Sequence, residues 1–259
     1  MREILEKALK GEISIEEAER LLRVLAIEEI GNLARIDVGR EYRKGIPEVI
    51  LAEGKAPKDL ADIAVKMLNE SGRAIISRVT KKQVETVVKS LPKDASLKIY
   101  DKARIIVIKK KDFNVERTGG KIGILTAGTS DIPIAEEARV IAEEMGCEVI
   151  TAYDVGVAGI HRLLPPLKKM VTEDVDVIVV VAGREGALPS VVAGMIDIPV
   201  IAVPTSIGYG LGEKGVSALM AMLQSCSLGL AVVNIDGGVA AGAIATLIAN
   251  RVAKYRRKE

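Results

Sequence analysis

Val177-Ile178-Val179-Val180-Val181 is the stretch of sequence that decides the fold. Five consecutive β-branched apolar residues leave no polar side chain for water, so the stretch predicts a strand that is buried on both faces of a parallel sheet. We predict that this strand covers Val175–Ala182. The next residues, Gly183–Gly186, form a glycine-rich loop, and ligands of such sheets bind beyond the carboxyl ends of the strands.

On both sides of this strand, apolar segments alternate with amphipathic ones. We predict four further strands: Lys121–Thr126, Glu148–Tyr153, Pro199–Val203 and Leu230–Ile235. We predict five helices: Pro133–Met145, Gly159–Thr172, Leu188–Ile196, Gly212–Gln224 and Val239–Lys254. The alternation predicts an α/β domain at residues 119–259, with a doubly wound, flavodoxin-like parallel sheet between two layers of helices.

Residues 1–118 have a more charged and more interrupted pattern, which predicts a small α+β domain. The predicted helices are Ile13–Val24, Lys58–Ser71 and Lys81–Ser90, and the predicted strands are Pro47–Leu51, Ala74–Val79, Leu97–Tyr100 and Arg104–Lys109. Among the basic residues of this domain, Arg40, Arg43, Lys55 and Arg78 are predicted to form a cationic cluster. Two interpretations of these residues stay equally open: a contact with an anionic ligand, and a salt-bridge network with Asp37 and Glu48.

Composition excludes several classes of function. A net charge of +2, one Phe and no Trp disfavour a nucleic-acid binder, which needs basic surface and stacking platforms. One His and two Cys without a C-x-x-C motif disfavour a zinc site made by the protein alone. The most apolar stretch, Ser227–Asn250, contains Asn234 and Asp236, which disfavours a membrane span. Since the N-terminus also lacks a signal-peptide pattern, we expect a cytoplasmic protein.

The first two loops at the predicted carboxyl edge contain residues suited to anions. The first strand is followed by Gly128, Thr129, Ser130 and Asp131. Their hydroxyls and the free N–H groups at the start of the next helix would suit a phosphate. Ser130 or Asp131 would also serve as an ordinary helix cap. Asp154 follows the second strand and precedes His161 and Arg162. The pair His161-Arg162 would hold an anion or simply lie at a helix start.

Three later residues bear reactive groups. Glu185 stands between Gly183 and Gly186, either exposed over the crevice or as a partner of a helix dipole. Cys226 is either a nucleophile or a small packing residue, which is the usual role of a free cysteine. Asp236 would contact a hydroxyl, bind magnesium or cap the helix that follows.

Together these loops resemble the aminoimidazole ribonucleotide carboxylase and mutase superfamily. The superfamily's phosphate loop is similar to Gly128-Thr129-Ser130-Asp131, which is one residue shorter. Its Ala-His-Arg element is similar to Ile160-His161-Arg162, and its glycine-rich third loop is similar to Gly183–Pro189. Cys226 and Asn234–Gly238 instead resemble the branch of pyridinium-3,5-biscarboxylic acid mononucleotide synthases, as does Ala34–Lys55. Arg184 departs from this branch, where an apolar residue is expected.

The resemblance implies a reaction. Nicotinic acid adenine dinucleotide and carbon dioxide or bicarbonate would give the 3,5-dicarboxylated pyridinium mononucleotide and AMP, the first step toward the nickel-pincer cofactor of lactate racemase. It implies that Cys226 is the nucleophile, that Glu185 and then His161 are the candidate bases, and that Mg²⁺ assists near Asp131 or Asp236. The implied substrate-binding residues are Gly128, Thr129, Ser130, Asp131, Asp154, Arg162, Gly183, Gly186, Ser190, Asp236, Arg40, Arg43 and Lys55.

The resemblance also implies an octamer, for which small residues of the last helix would permit close packing: Ala240, Ala241, Gly242, Ala243 and Ala245. Two rival functions stay open. A purine carboxylase or mutase would not need Cys226, and a non-catalytic nucleotide-binding protein would release no AMP. A dehydrogenase is disfavoured because the first loop lacks Gly-x-Gly-x-x-Gly.

Overall fold

The computed structural model describes residues 2–24, 28–30, 34–37, 39–208 and 212–256. The chain forms two compact units, the first made of Met1–Ile99 with Arg104–Asn114 and the second of Tyr100–Ala103 with Val115–Glu259. The domain boundary predicted from sequence, between residues 118 and 119, lies four residues beyond the point where the second unit resumes.

The N-terminal unit is a small α+β structure. Its helices are α1 (Arg2–Leu9), α2 (Ile15–Val24), α3 (Arg40–Lys44), α4 (Pro57–Ser71) and α5 (Lys81–Ser90). Its strands are β1 (Glu28–Ile30), β2 (Ala34–Ile36), β3 (Val49–Leu51), β4 (Arg73–Ser77), β5 (Ser96–Tyr100) and β6 (Ile105–Lys109). β1 and β2 pair antiparallel, and the other four form a sheet in the order β3-β4-β6-β5. Helices α4 and α5 cover this sheet, with Leu60, Leu68 and Ile76 in the core.

The C-terminal unit confirms the predicted α/β fold. Its strands are β7 (Lys121–Thr126), β8 (Glu148–Ala152), β9 (Val177–Ala182), β10 (Val200–Pro204) and β11 (Leu230–Val232). Its helices are α6 (Ile132–Glu144), α7 (Leu164–Thr172), α8 (Leu188–Ala193), α9 (Val216–Leu223) and α10 (Gly238–Arg256). The five strands are all parallel, in the flavodoxin-like order β11-β10-β9-β7-β8. Every residue of β9 is buried, because α7, α8 and α9 pack on one face of the sheet and α6 and α10 on the other.

Three predicted boundaries shift for reasons of backbone conformation. Helix α9 begins at Val216 rather than at Gly212, because Lys214 and Gly215 have φ angles of 51° and 94°. The region of His161 is a 3-10 turn, Val157–Arg162, which precedes α7. Strand β11 ends at Val232, since a turn follows in which the N–H of Gly237 donates to the carbonyl of Asn234.

Helix α10 uses its small residues within the chain. Ala241, Gly242 and Ala245 are buried, and a Cβ added at Gly242 would stand 2.6 Å from the carbonyl oxygen of Ala138 on α6. Of the small residues predicted to serve contacts between subunits, only Ala240 is exposed, so the stripe closes the α6–α10 interface instead. Neither α10, with 19 residues, nor another helix of the described ranges is long and apolar enough to cross a membrane.

Candidate functional site

A cavity of about 770 Å³ lies at the carboxyl ends of β7, β8, β9 and β10. This is the crevice where the strand order reverses, between β7 and β9, and it is where open parallel sheets bind ligands. Among the described residues, the lining includes seven that were predicted from sequence: Gly128, Ser130, Asp131, Asp154, Arg162, Gly183 and Glu185. Of the other predicted residues of the C-terminal unit, Thr129, His161, Gly186, Ser190, Cys226 and Asp236 are not in the lining, and Arg40, Arg43 and Lys55 belong to the N-terminal unit.

The loop after β7 is organised around Asp131, whose side chain is 5% exposed. One carboxylate oxygen accepts a hydrogen bond from the N–H of Gly128 at 2.9 Å, and the other accepts from the hydroxyl of Thr205 at 2.7 Å. Burial raises the pKa of Asp131, and these two hydrogen bonds offset only part of that effect. The carboxylate makes no capping hydrogen bond to α6, so Asp131 shapes the loop rather than serving as an ordinary helix cap.

Gly183 allows the loops after β9 and β10 to approach each other closely. A Cβ at this position would lie 2.5 Å from the carbonyl oxygen of Ile207 and 2.6 Å from Oγ1 of Thr205. Both distances are too short for any real side chain, so the position requires glycine. The glycine predicted here from sequence therefore sets the width of the cavity on the β10 side.

The loop after β8 contributes an ion pair. Asp154 has a φ angle of 60°, and its backbone N–H donates to Oγ1 of Thr126 at 3.0 Å. Its carboxylate accepts from Nη1 of Arg162 at 2.6 Å, and both side chains are partly exposed. Arg162 therefore stands at the cavity with a defined partner, whereas the neighbouring His161 is exposed on the 3-10 turn and does not line the cavity.

The loop after β9 presents Glu185 to the cavity. The N–H of Gly186 donates to the carbonyl of Gly183 at 2.9 Å, which closes a tight turn. Within this turn, Arg184 and Gly186 have φ angles of 51° and 62°. Glu185 is exposed at this turn, and its role as a base stays a prediction. Arg184 also lines the cavity and was not among the predicted binding residues.

Cys226 is exposed on the loop that joins α9 to β11. Serines hold this loop on both sides of the thiol, because the hydroxyl of Ser190 donates to Oγ of Ser225 at 2.8 Å and the hydroxyl of Ser227 donates to the carbonyl of Ser190 at 2.7 Å. Ser190 thus fixes the cysteine loop instead of lining the cavity. The loop enters the amino end of β11, whereas the cavity lies at the carboxyl ends of the strands.

Asp236 supports the loop after β10. Its two carboxylate oxygens accept from the N–H and the hydroxyl of Ser206, at 2.8 Å and 2.5 Å. All four carboxylate oxygens of Asp131 and Asp236 therefore accept hydrogen bonds from the protein, and the described residues contain no group of three His, Cys, Asp or Glu that would hold a metal. The part of the chain that the structure describes thus shows no metal site formed by the protein alone, and the participation of Mg²⁺ stays a prediction.

The cations of the predicted N-terminal cluster lie on three segments of their unit. Arg40 and Arg43 lie on α3, before β3, and Arg43 pairs with Asp37, whose N–H donates to Glu48 at 3.0 Å. The Arg43–Asp37 pair is one contact of the salt-bridge alternative, and contact with an anionic ligand stays a prediction. Lys55 follows β3, where its Nζ donates to the carbonyl of Leu51 at 2.8 Å. Arg78 follows β4, and it lies 3.4 Å from Glu53.

Thr205 and Ser206 were not among the predicted site residues, although they belong to Pro204–Gly212, a run of glycines and hydroxyls that suggests either a loop closing on a ligand or a plain flexible loop. They follow β10 directly, so a hydroxyl pair at the carboxyl end of a buried strand was the signal that would have identified them. Thr205 donates a hydrogen bond to Asp131, and Ser206 donates to Asp236. The two aspartates lie on two other loops of the C-terminal unit.

Comparison with known proteins agrees with this geometry. The family model described as AIR carboxylase matches residues 121–258, which is more than half of the chain. The chain belongs to the AIR carboxylase family. A second model, described as LarB/PurE-like N-terminal domain, matches residues 27–111, so the protein is a LarB-like member of this superfamily.

Two relatives extend the comparison. An uncharacterized protein of Methanocaldococcus jannaschii, MJ0165, is 47% identical over 251 residues, covering 96% of each chain. The N5-carboxyaminoimidazole ribonucleotide mutase of the same organism is 33% identical over 147 residues, which cover 53% of this chain and 88% of the mutase. The similarity to the mutase is thus confined to about half of the chain, whereas the similarity to MJ0165 spans both units.

Proposed function

We propose that this protein carboxylates C5 of the pyridinium ring of nicotinic acid adenine dinucleotide and cleaves the phosphoanhydride, giving pyridinium-3,5-biscarboxylic acid mononucleotide and AMP. The product would enter nickel-pincer cofactor biosynthesis. The observation that carries the proposal is the exposed thiol of Cys226, which the serines on either side hold in place. The LarB/PurE-like N-terminal match supports the same branch of the family.

The proposed chemistry begins with covalent catalysis. A pyridinium ring is electron-poor, so C5 attacks carbon dioxide only after a nucleophile has added to the ring. The Cys226 thiolate adds to C4 or C6 and gives a neutral dihydropyridine whose enamine makes C5 nucleophilic. C5 forms the new bond to carbon dioxide, a base removes the C5 proton, and the departing thiolate restores the aromatic cation.

Glu185 is the proposed base. It is exposed, lines the cavity and lies in a tight turn at the carboxyl end of β9, where a bound ring would be within reach. His161 does not line the cavity, so it is the weaker of the two predicted bases. The loop Gly128–Asp131 and Arg162 would hold the phosphate and ribose of the nicotinate half.

We further propose that the thiol serving one cavity comes from a neighbouring copy of the chain. Cys226 does not line the cavity of its own chain, so a second copy would supply the nucleophile. Exposed apolar side chains flank the cysteine loop, and such patches mark surfaces that another protein covers. They are Met195, Met220, Leu223 and Leu228.

The alternative is an aminoimidazole ribonucleotide carboxylase or mutase. The mutases from Methanocaldococcus jannaschii and Thermotoga maritima, which are 33% and 25% identical over 147 and 148 residues, favour this reading for the C-terminal half alone. That reaction needs no thiol, so Cys226 would then be dispensable.

The test is mass spectrometry of the purified protein incubated with nicotinic acid adenine dinucleotide, bicarbonate and Mg²⁺, beside Cys226→Ala and Cys147→Ala. The proposal expects AMP and a mononucleotide heavier by one carboxylate, lost in Cys226→Ala and retained in Cys147→Ala. No turnover, with aminoimidazole ribonucleotide accepted instead, would return the protein to purine chemistry.

The origin of the thiol has its own test. Cys226→Ala and Glu185→Gln are unfolded and refolded together, so that mixed assemblies form. If the thiol comes from a neighbouring copy, the mixture recovers activity that neither variant shows alone, because some sites combine an intact Glu185 with an intact Cys226. A mixture as inactive as its components would place both groups in one chain.

A further inference from the structure

The cavity holds a cation whose role no step above uses. Arg184 lines the cavity beside Glu185, at the position where the resemblance leads one to expect an apolar residue. We infer that Arg184 recognises the ring carboxylate of the ligand and so selects the nicotinic acid form over the nicotinamide form. This inference rests on the proposed function, because it assumes that a pyridine nucleotide occupies the cavity.

The order of the strands gives the cavity a direction. The loops that line it belong, from one side to the other, to β8, β7, β9 and β10. The three spacings between these four neighbouring strands are about 4.8 Å each, so the strand ends span about 14 Å. This length suits a bound mononucleotide. With the phosphate held by Arg162 and the Gly128–Asp131 loop at the β8 and β7 end, the ring lies toward β9 and β10, beside Arg184 and Glu185.

The backbone holds Arg184 in this place. Its φ angle is 51°, in the turn closed by the hydrogen bond from Gly186 to Gly183. Its Cγ lies 3.7 Å from where a Cβ on Gly208 would stand, so the stem of the side chain extends across the β10 loop. Arg184 therefore lines the cavity where the loops after β9 and β10 meet, whereas Arg162 pairs with Asp154 on the loop after β8.

The chemistry of a guanidinium explains the selection. Arginine only donates hydrogen bonds, and a carboxylate accepts two of them in a bidentate pair. A carboxamide offers one acceptor oxygen, and its NH₂ group faces the guanidinium donor against donor. The carboxamide group is also uncharged, so the acid form gains the charge-assisted bonds that the amide form lacks.

The experiment measures the affinities of nicotinic acid mononucleotide and nicotinamide mononucleotide by calorimetry. The two probes share ribose and phosphate and differ only in the ring substituent. The wild-type protein should prefer the acid, and Arg184→Met should lose about tenfold or more of that preference, the size expected for a hydrogen bond to a charged group. Affinity for nicotinamide mononucleotide should stay unchanged, and Arg184→Lys should keep part of the preference.

Each other outcome is decisive. If Arg184→Met lowers the affinity for both mononucleotides by the same factor, Arg184 acts on the phosphate or through the overall electrostatic field of the cavity. The assignment of Arg184 to the ring carboxylate is then overturned. An unchanged preference in a variant that melts at the wild-type temperature overturns any selective role. A wild-type protein that binds neither mononucleotide overturns the proposed function together with this inference.

Discussion

The hydroxyl of Thr205 donates a 2.7 Å hydrogen bond to Oδ1 of Asp131, and this bond joins the loop after β10 to the loop after β7. The two strands are not neighbours, since β9 lies between them. The bond passes over the end of β9 at Gly183, where a Cβ would stand 2.6 Å from Thr205 Oγ1 and 3.6 Å from Asp131 Oδ1. The loops after β10 and β7 can therefore meet because Gly183 has no side chain.

Removing the hydroxyl of Thr205 should destabilise the C-terminal unit. Thr205→Val keeps the shape of the side chain but leaves Oδ1 of the buried Asp131 without its donor, which costs about 1–3 kcal/mol. The free energy of unfolding from denaturant titration measures the change. Thr205→Ser keeps a hydroxyl and is the matched control. A loss in Thr205→Ser as large as that in Thr205→Val would show that the hydrogen bond contributes no more to stability than the packing of the methyl group.

Filling the space at Gly183 should damage both stability and ligand binding. In Gly183→Ala the new methyl group meets backbone and hydroxyl oxygens at 2.5 Å and 2.6 Å, so the β10 loop must shift, at a cost of about 1–3 kcal/mol. Gly208→Ala is the control in the same cavity, because its nearest contact would be 3.7 Å. Thermal unfolding and mononucleotide affinity report the two effects. A Gly183→Ala protein as stable as Gly208→Ala would contradict the close approach.

The buried carboxyl of Asp131 should make stability depend on pH. Because burial raises its pKa in the folded state, the folded protein binds this proton more tightly than the unfolded chain. Its contribution is therefore greatest at low pH, and it is lost as pH rises from the usual carboxyl range through the raised pKa. Asp131→Asn does not titrate, so its stability relative to wild type should rise as pH passes from the usual carboxyl range through the raised pKa, by no more than about 1.4 kcal/mol per pH unit. A relative stability that falls with pH would mean that hydrogen bonds outweigh burial.

The sequence predicted the parallel sheet because its signals are local. The run Val177–Val181 and the alternation around it reflect burial on both faces, which five adjacent residues already reveal. The glycine at 183 and the acid at 185 could also be predicted, since they follow that strand directly. The loops of the cavity then had to meet, because carboxyl ends of parallel strands lie at one edge of a sheet.

Contacts between distant segments could not be predicted in the same way. Thr205 and Asp131 are 74 positions apart, and no local pattern pairs a hydroxyl on one loop with a carboxylate on another. The cations Arg43 and Lys55 are close in sequence, yet they lie before and after β3 and bind different partners. Cys226 is a different case, because it stands between the predicted helix Gly212–Gln224 and the predicted strand Leu230–Ile235, which already places it before the amino end of that strand.

The two cysteines should differ sharply in their reaction with iodoacetamide. Cys226 is exposed, whereas Cys147 is buried, and burial raises the pKa of its thiol to about 11. Since the thiolate is the reactive form, Cys147 is both shielded and almost fully protonated at pH 8. Intact-protein mass spectrometry should therefore show a single rapid alkylation, which disappears in Cys226→Ala and persists in Cys147→Ala.

If nicotinic acid adenine dinucleotide binds against the thiol, it should slow this reaction in the wild-type protein but not in Gly183→Ala. Rapid labelling of Cys147 in the native protein would instead show that the amino edge of β8 opens to solvent.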